Sequence, residues 1–251
     1  MNLISVVCIP QLNDNYSFAI INNSNVIIVD PAEDTSIIKY IKKNNLILKA
    51  ILITHHHNDH TAGIKGILNY RKVDVYSPNK KINGTSKIIK DGDLIDLNFI
   101  EIEVISTPGH TLDHIIFYNK INKILFSGDT LFRFGCGRIF EGTNEQMFQS
   151  IKKIHSLDDG TIVYCGHEYT LNNLNFLISA FPDNLDLIYE KTKIERQLSM
   201  NGRSIPFRLD EEKKLNPFLS TKSKAFNVFK NEKNFTDIEI FSYLRDLKNK
   251  F

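Results

Sequence analysis

The apolar run Ala50-Ile51-Leu52-Ile53 ends directly on Thr54-His55-His56-His57-Asn58-Asp59-His60, and this junction constrains the chain more than any other stretch. The run reads as a buried strand. The heptad then occupies the loop beyond the strand's C-terminal end, where open α/β sheets place their ligands. On extended backbone His55 and His57 project to one side and His56 to the other, so His56 is not expected to be a ligand. Asp59 adds a hard oxygen donor and His60 a third borderline nitrogen. Given partners from elsewhere, that is enough for more than one divalent metal. A surface His run or a chance metal-scavenging tract is the alternative; the heptad taken alone favours a metal site, and the rest of the chain decides the matter.

The surrounding pattern alternates strands and helices. Ile4–Ile9, Tyr16–Ile21 and Val26–Val29 read as strands, the last two joined by the turn-forming Asn22-Asn23-Ser24. A helix is expected over Thr35–Lys43, with Ile37, Ile38 and Ile41 buried, and another over Ala62–Tyr70. Further strands are expected at Val73–Tyr76, Leu94–Leu97, Ile100–Ile105, Ile115–Tyr118, Ile124–Phe126 and Thr161–Cys165. Thr143-Asn144-Glu145-Gln146 has the form of a capping box, opening a helix whose stripe is Met147, Phe148, Ile151 and Ile154. Past residue 170 helical periodicity takes over and strand runs vanish, which predicts an α/β domain over 1–170 and a helical domain over 171–251.

Composition narrows the partners. A 251-residue chain with 42% apolar and 24% charged residues can bury a sizeable core. Its net charge of +2 gives no mandate for nucleic acid, which leaves a strongly basic face on its binders. The start Met1-Asn2-Leu3-Ile4-Ser5 has neither a charged n-region nor a long apolar stretch, so no signal peptide and no membrane span are expected. Cys8, Cys136 and Cys165 are odd in number and widely spaced, which suits a reducing cytoplasm and reads as small buried hydrophobes.

Three later loops each present one metal ligand at a strand end: His110 in Thr107-Pro108-Gly109-His110-Thr111, Asp129 in Ser127-Gly128-Asp129-Thr130, and His167 in Gly166-His167-Glu168-Tyr169. One sheet edge could gather all seven. Of the other polar residues, His114 reads as packing or hydrogen-bonding, and His155 as structural, late in a helix where a cation suits the dipole. Asp30 reads either as an acceptor that orients a ligand histidine or as a turn residue before Pro31.

The order THxHxDH, TPGHT, GDT, GHEYT resembles the metallo-β-lactamase superfamily, most closely its glyoxalase II (hydroxyacylglutathione hydrolase) family, from Leu12-Asn13-Asp14-Asn15-Tyr16 to the C-terminal residue. The resemblance implies an α+β fold: an αββα sandwich followed by a small helical domain. It implies two divalent metal ions, zinc first, with iron or manganese as alternatives. His55, His57 and His110 would hold one ion, and Asp59, His60 and His167 the other. Asp129 and a hydroxide would bridge them, which makes Asp59 and Asp129 the catalytic carboxylates. Two dications against two aspartates and a hydroxide leave one net positive charge to attract an anionic substrate and stabilise an oxyanion.

A dinuclear centre does not select its own substrate. Thr130–Gly142 resembles the family's GDTLFxxGCG(K/R)xxEG stretch, which puts Arg138 at a glutathione-binding position and Phe140 where some relatives carry Tyr. Tyr169 matches a second such position. Thr236-Asp237-Ile238-Glu239 opens a last helix anchored by Phe241, Leu244, Leu247 and Phe251. Its Arg245 and Lys248, in the spacing RxxKxxF, match the family's contacts to the glycine carboxylate of glutathione. The expected activity is hydrolysis of S-D-lactoylglutathione to glutathione and D-lactate by a cytoplasmic monomer. Rivals are a persulfide dioxygenase or another thioester or lactone hydrolase of the superfamily, and an inactive glutathione- or metal-binding module. Asp113 and Ala32 stand where the family has Gly, which puts the local loop geometry in question. Ser220 replaces a frequent Arg.

Overall fold

The computed structural model describes residues 4–222 and 224–251; the reading of Met1–Leu3 as free of a charged n-region concerns residues outside that range. The chain divides into two compact units, Met1–Ser106 with Asp113–Gly128, and Thr107–Leu112 with Asp129–Phe251.

The first unit is a two-sheet sandwich. One sheet runs in the order β1 (Ser5–Gln11), β2 (Asn15–Asn22), β3 (Asn25–Val29), β4 (Ile47–Leu52), β5 (Asp74–Ser77), β6 (Lys87–Ile88), antiparallel across the first three strands and parallel thereafter. β3 and the end of β4 are buried on both faces, which is why they read as apolar runs. Val26 and Ile28 of β3 pack with Ile37 and Ile41 of α1 (Thr35–Lys43). Ile27 and Val29 are equally buried and alternate to the opposite face. A second sheet of β7 (Leu94–Asp96), β8 (Glu101–Ser106), β9 (Ile115–Asn119) and β10 (Ile124–Gly128) is antiparallel. The two sheets meet where the Phe18 and Phe126 rings, tilted to each other, lie 5.4 Å apart.

The helix expected over Ala62–Tyr70 starts two residues late and is preceded by a separate turn. A single turn, α2 (Asn58–Thr61), starts inside the heptad, and α3 (Ile64–Tyr70) follows it. The break lies at Gly63, where a Cβ would sit 2.6 Å from the Glu33 carbonyl carbon. Close backbone packing against residues 31–33 displaces the regular helix there.

The second unit holds a short hairpin, β11 (Leu131–Phe132) and β12 (Gly135–Cys136), then α4 (Asn144–His155) with its capping box formed, and β13 (Ile162–Cys165). Next come α5 (Thr170–Ala180), α6 (Leu185–Asn201), β14 (Phe207–Arg208), α7 (Leu209–Leu215), α8 (Lys224–Glu232) and α9 (Asp237–Lys248). The two-residue β14, paired with β13, is the strand the helical pattern past 170 did not anticipate. In α9 the buried residues are Ile240, Phe241, Leu244 and Arg245, while Leu247 and Phe251 are exposed. Arg245 thus takes the inward place that periodicity assigned to an apolar residue. Among the described residues no helix is long and apolar enough to cross a membrane.

Candidate metal centre

The first unit presents His55, His57, Asp59 and His60 just beyond the end of β4. The His55 ring centroid lies 4.7 Å from that of His57 and 4.2 Å from that of His60. His55 and His60 are fully buried, whereas His57 and Asp59 are partly open. Hydrogen bonds fix the tautomers of both buried rings. The Thr54 hydroxyl donates its one proton to Asp30 Oδ2 at 2.7 Å, so its contact with His55 Nδ1 at 3.0 Å must be donated by the imidazole. His60 Nδ1 donates to the same Asp30 oxygen at 3.0 Å. With the proton on Nδ1, Nε2 is the acceptor nitrogen of both rings, the form in which imidazole binds a metal. Asp59 is steadied by Asn15, whose Nδ2 donates to Oδ2 at 3.0 Å.

The second unit presents the other three ligands. His110 Nδ1 donates to the Arg138 carbonyl at 2.7 Å, which again leaves Nε2 as the acceptor nitrogen. The Nε2 atoms of His110 and His167 lie 3.4 and 3.3 Å from one atom, Asp129 Oδ2. All three side chains are nearly buried. Two imidazoles aimed at a single carboxylate oxygen gather donors that suit a divalent cation. Gly137 permits the approach, since a Cβ there would fall 1.9 Å from the Asp129 carbonyl oxygen. The donor set, imidazole and carboxylate, fits zinc, iron or manganese.

Other assignments can be set beside this geometry. His56 turns to Asp113, with Nδ1 at 2.9 Å from Oδ1, and Asp113 also accepts from Asn79. Neither Asp113 nor Ala32 is among the residues with positive φ, so neither needs the left-handed backbone a glycine would supply. His114 is buried and stacks on His55 at 4.8 Å. His155 is depressed below the usual imidazole range by burial and by Lys213 and Lys222, so it is neutral rather than the cation the helix end would favour. Burial pushes the thiols of Cys136 and Cys165 up, which leaves them poor nucleophiles. Thr54, Asn15 and the Arg138 carbonyl orient ligands although composition and spacing did not single them out. Thr54 lay in view as the first residue of the heptad.

The residues matched to glutathione binding all lie in the second unit. Tyr169 stacks flat on His167, with centroids 4.6 Å apart. Phe140 is exposed and edges against His110 at 5.3 Å; its N–H donates to the His110 carbonyl, so that donor is occupied. Arg138 is exposed and lies over the Phe140 ring. Arg245 is buried, its Nη1 donating to the carbonyls of Cys136 (2.8 Å) and Gly137 (3.4 Å). Lys248 donates to Asn172 and lies over Phe176 and Phe251. Burial, followed by the Arg245 charge, lowers its pKa to about 8.

Comparison with known proteins decides the family. Residues 12–167 match the metallo-β-lactamase superfamily, and residues 168–251 match the hydroxyacylglutathione hydrolase C-terminus. The hydroxyacylglutathione hydrolase of Aliivibrio fischeri (strain MJ11) is 41% identical over 99% of this chain and 100% of its own length. That of Wigglesworthia glossinidia brevipalpis is 43% identical over 100% of this chain and 99% of its own. The chain belongs to the hydroxyacylglutathione hydrolase family. Solved structures share the fold of this family at lower identity. BLEG-1 B3 metallo-β-lactamase aligns with a TM-score of 0.66 and 21% identity over 86% of this chain and 99% of its own. ETHE1 from Myxococcus xanthus aligns at 0.65 and 22% over 95% and 94%. The two family matches in this hydroxyacylglutathione hydrolase relative meet at 167/168, whereas the compact units part after Gly128.

Proposed function

We propose that this chain hydrolyses S-D-lactoylglutathione and related S-2-hydroxyacylglutathiones to glutathione and the hydroxy acid, the second step of methylglyoxal detoxification, as a cytoplasmic monomer. The observation that carries the reading is full-length identity of 40–43% to hydroxyacylglutathione hydrolases. In this reading residues 1–170 form the catalytic domain and 171–251 the substrate-binding one. His55, His57 and His110 hold one ion, Asp59, His60 and His167 the other, and Asp129 joins them. Sets of His and Asp able to offer three ligand atoms to an ion support this division. When bound, the two ions, zinc first with iron or manganese as alternatives, supply hydroxide near neutral pH and polarise the thioester carbonyl.

The protein's own groups do the rest. Asp30, Thr54 and the Arg138 carbonyl hold the imidazoles in the metal-binding tautomer. Arg138, Tyr169 and the backbone carbonyl of Phe140 grip the glutathione peptide, and Lys248 with Arg245 receives its glycine carboxylate.

An assay of purified protein with S-D-lactoylglutathione, run beside metal analysis of the same sample, tests the reading. Hydrolysis with about two ions per chain is expected, and Asp129→Ala should lose at least one ion and nearly all turnover. A filled two-metal site without hydrolysis, or persulfide oxidation with one iron, would overturn it.

A further inference from the structure

Phe134 lies at the tip of the β11–β12 hairpin with φ +58 and is 3% exposed. A bulky side chain in the left-handed region is strained, so surrounding groups must hold it there. They come from far along the chain. Glu212 of α7, 1% exposed, accepts the Phe134 N–H at 2.7 Å through Oε2. Asn216 donates to the same carboxylate oxygen at 3.0 Å and to the carbonyls of Phe132 and Gly135, spanning both strands of the hairpin.

The hairpin is short and leads straight to the site. It begins two residues after Asp129, the Gly137 N–H returns to the Thr130 carbonyl, and the next carbonyl, of Arg138, holds His110 Nδ1. We infer that Glu212 is a positioning residue for the substrate-binding Arg138, acting through the left-handed turn at Phe134. This inference rests on the glutathione-thioester reading for its substrate. Release of Phe134 from that conformation lets β12 and the Gly137-Arg138 peptide move, and Arg138 loses its fixed place. The carboxylate titrates near neutrality, pushed up to about 7 by burial against the opposing effects of the Phe134 N–H, the Arg133 charge and Asn216; Glu211 on its own helix adds to the rise. As pH rises through 7 the carboxyl becomes the stronger acceptor and the turn tightens.

Two variants and two readouts test this. Glu212→Ala removes the acceptor; Glu212→Gln keeps an acceptor oxygen and removes the titration. With metals bound, Glu212→Ala should raise KM for S-D-lactoylglutathione about tenfold, and kcat should fall as well because the Arg138 carbonyl holds His110. Wild type should show a fall in KM between pH 6 and 8; Glu212→Gln should lose that fall and stay within about threefold of wild type at pH 8. Hydrogen exchange at the Phe134 and Gly137 amides should quicken at least about tenfold in Glu212→Ala and not in Glu212→Gln. That readout needs no activity, so a wild type that fails to hydrolyse the thioester overturns the functional reading while the clamp is still decided. Unchanged KM and unchanged exchange in Glu212→Ala would overturn the inference. Should that variant not fold, a wild-type pH profile in Glu212→Gln would do the same.

Discussion

Asp30 gathers three donors on one buried carboxylate: the Thr54 N–H at 2.8 Å, the Thr54 hydroxyl at 2.7 Å and His60 Nδ1 at 3.0 Å. It therefore sets two imidazole tautomers at once, His60 directly and His55 through the Thr54 hydroxyl. Asp30→Asn keeps the shape but puts an amide NH2 where an acceptor stood, which forces at least one of these donors to face a donor. We expect the affinity of the ion held by His60 to fall about 10–100-fold, the usual range when a group behind a metal ligand is lost. Competition with a chromophoric chelator measures it, and affinities equal to wild type would refute the role. The sequence left Asp30 open between a ligand-orienting acceptor and a turn residue. It is both: its φ of +50 bends the chain before Pro31 while its side chain faces the histidines. No one-dimensional pattern shows that, because the Thr54 and His60 donors arrive from another segment.

Helix α9 carries the clearest pH dependence among the elements. Arg245 and Lys248 lie three residues apart on one helix, and the lowered pKa of Lys248, about 8, means that its charge is lost over a range in which the enzyme can be assayed. If Lys248 receives the glycine carboxylate of glutathione, affinity is full below pH 8 and declines as pH rises through it. A drop of about tenfold by pH 10 is expected, the scale of one charged hydrogen bond. Lys248→Arg should stay flat over that range, which separates the effect from titration of the glutathione amine. Inhibition constants for glutathione, measured across pH, decide the matter; identical profiles in the two proteins would reject it. At this scale the sequence was legible wherever the signal is local. The boxes Thr143–Gln146 and Thr236–Glu239 both form, because each closes its hydrogen bonds within four residues. The β11–β12 hairpin was hidden for the opposite reason. Two-residue strands have no period to read, and its turn lacks Gly and Asn because Glu212, 78 residues on, holds Phe134 in place instead. The inward Arg245 was misplaced on similar grounds: its partners are the carbonyls of Cys136 and Gly137, more than a hundred residues earlier.

On the scale of the whole molecule, the seven proposed ligands are divided between the compact units, four from the first and three from the second. If each ion draws on both, metal binding is linked to the folding of the entire chain rather than to one local loop. Anything that binds the native state alone stabilises it, by about 4 kcal/mol when free metal exceeds its dissociation constant a thousandfold. For a chain of this size each kcal/mol moves the melting temperature by about 2–4 °C. Stripping both ions with a chelator, at about 4 kcal/mol each, should therefore lower Tm by roughly 15–30 °C. Zinc should restore it, and calcium, which prefers all-oxygen cages, should not. Scanning calorimetry measures the shift, and a Tm that stays unchanged when the ions are removed and returned would reject a stabilising role for them.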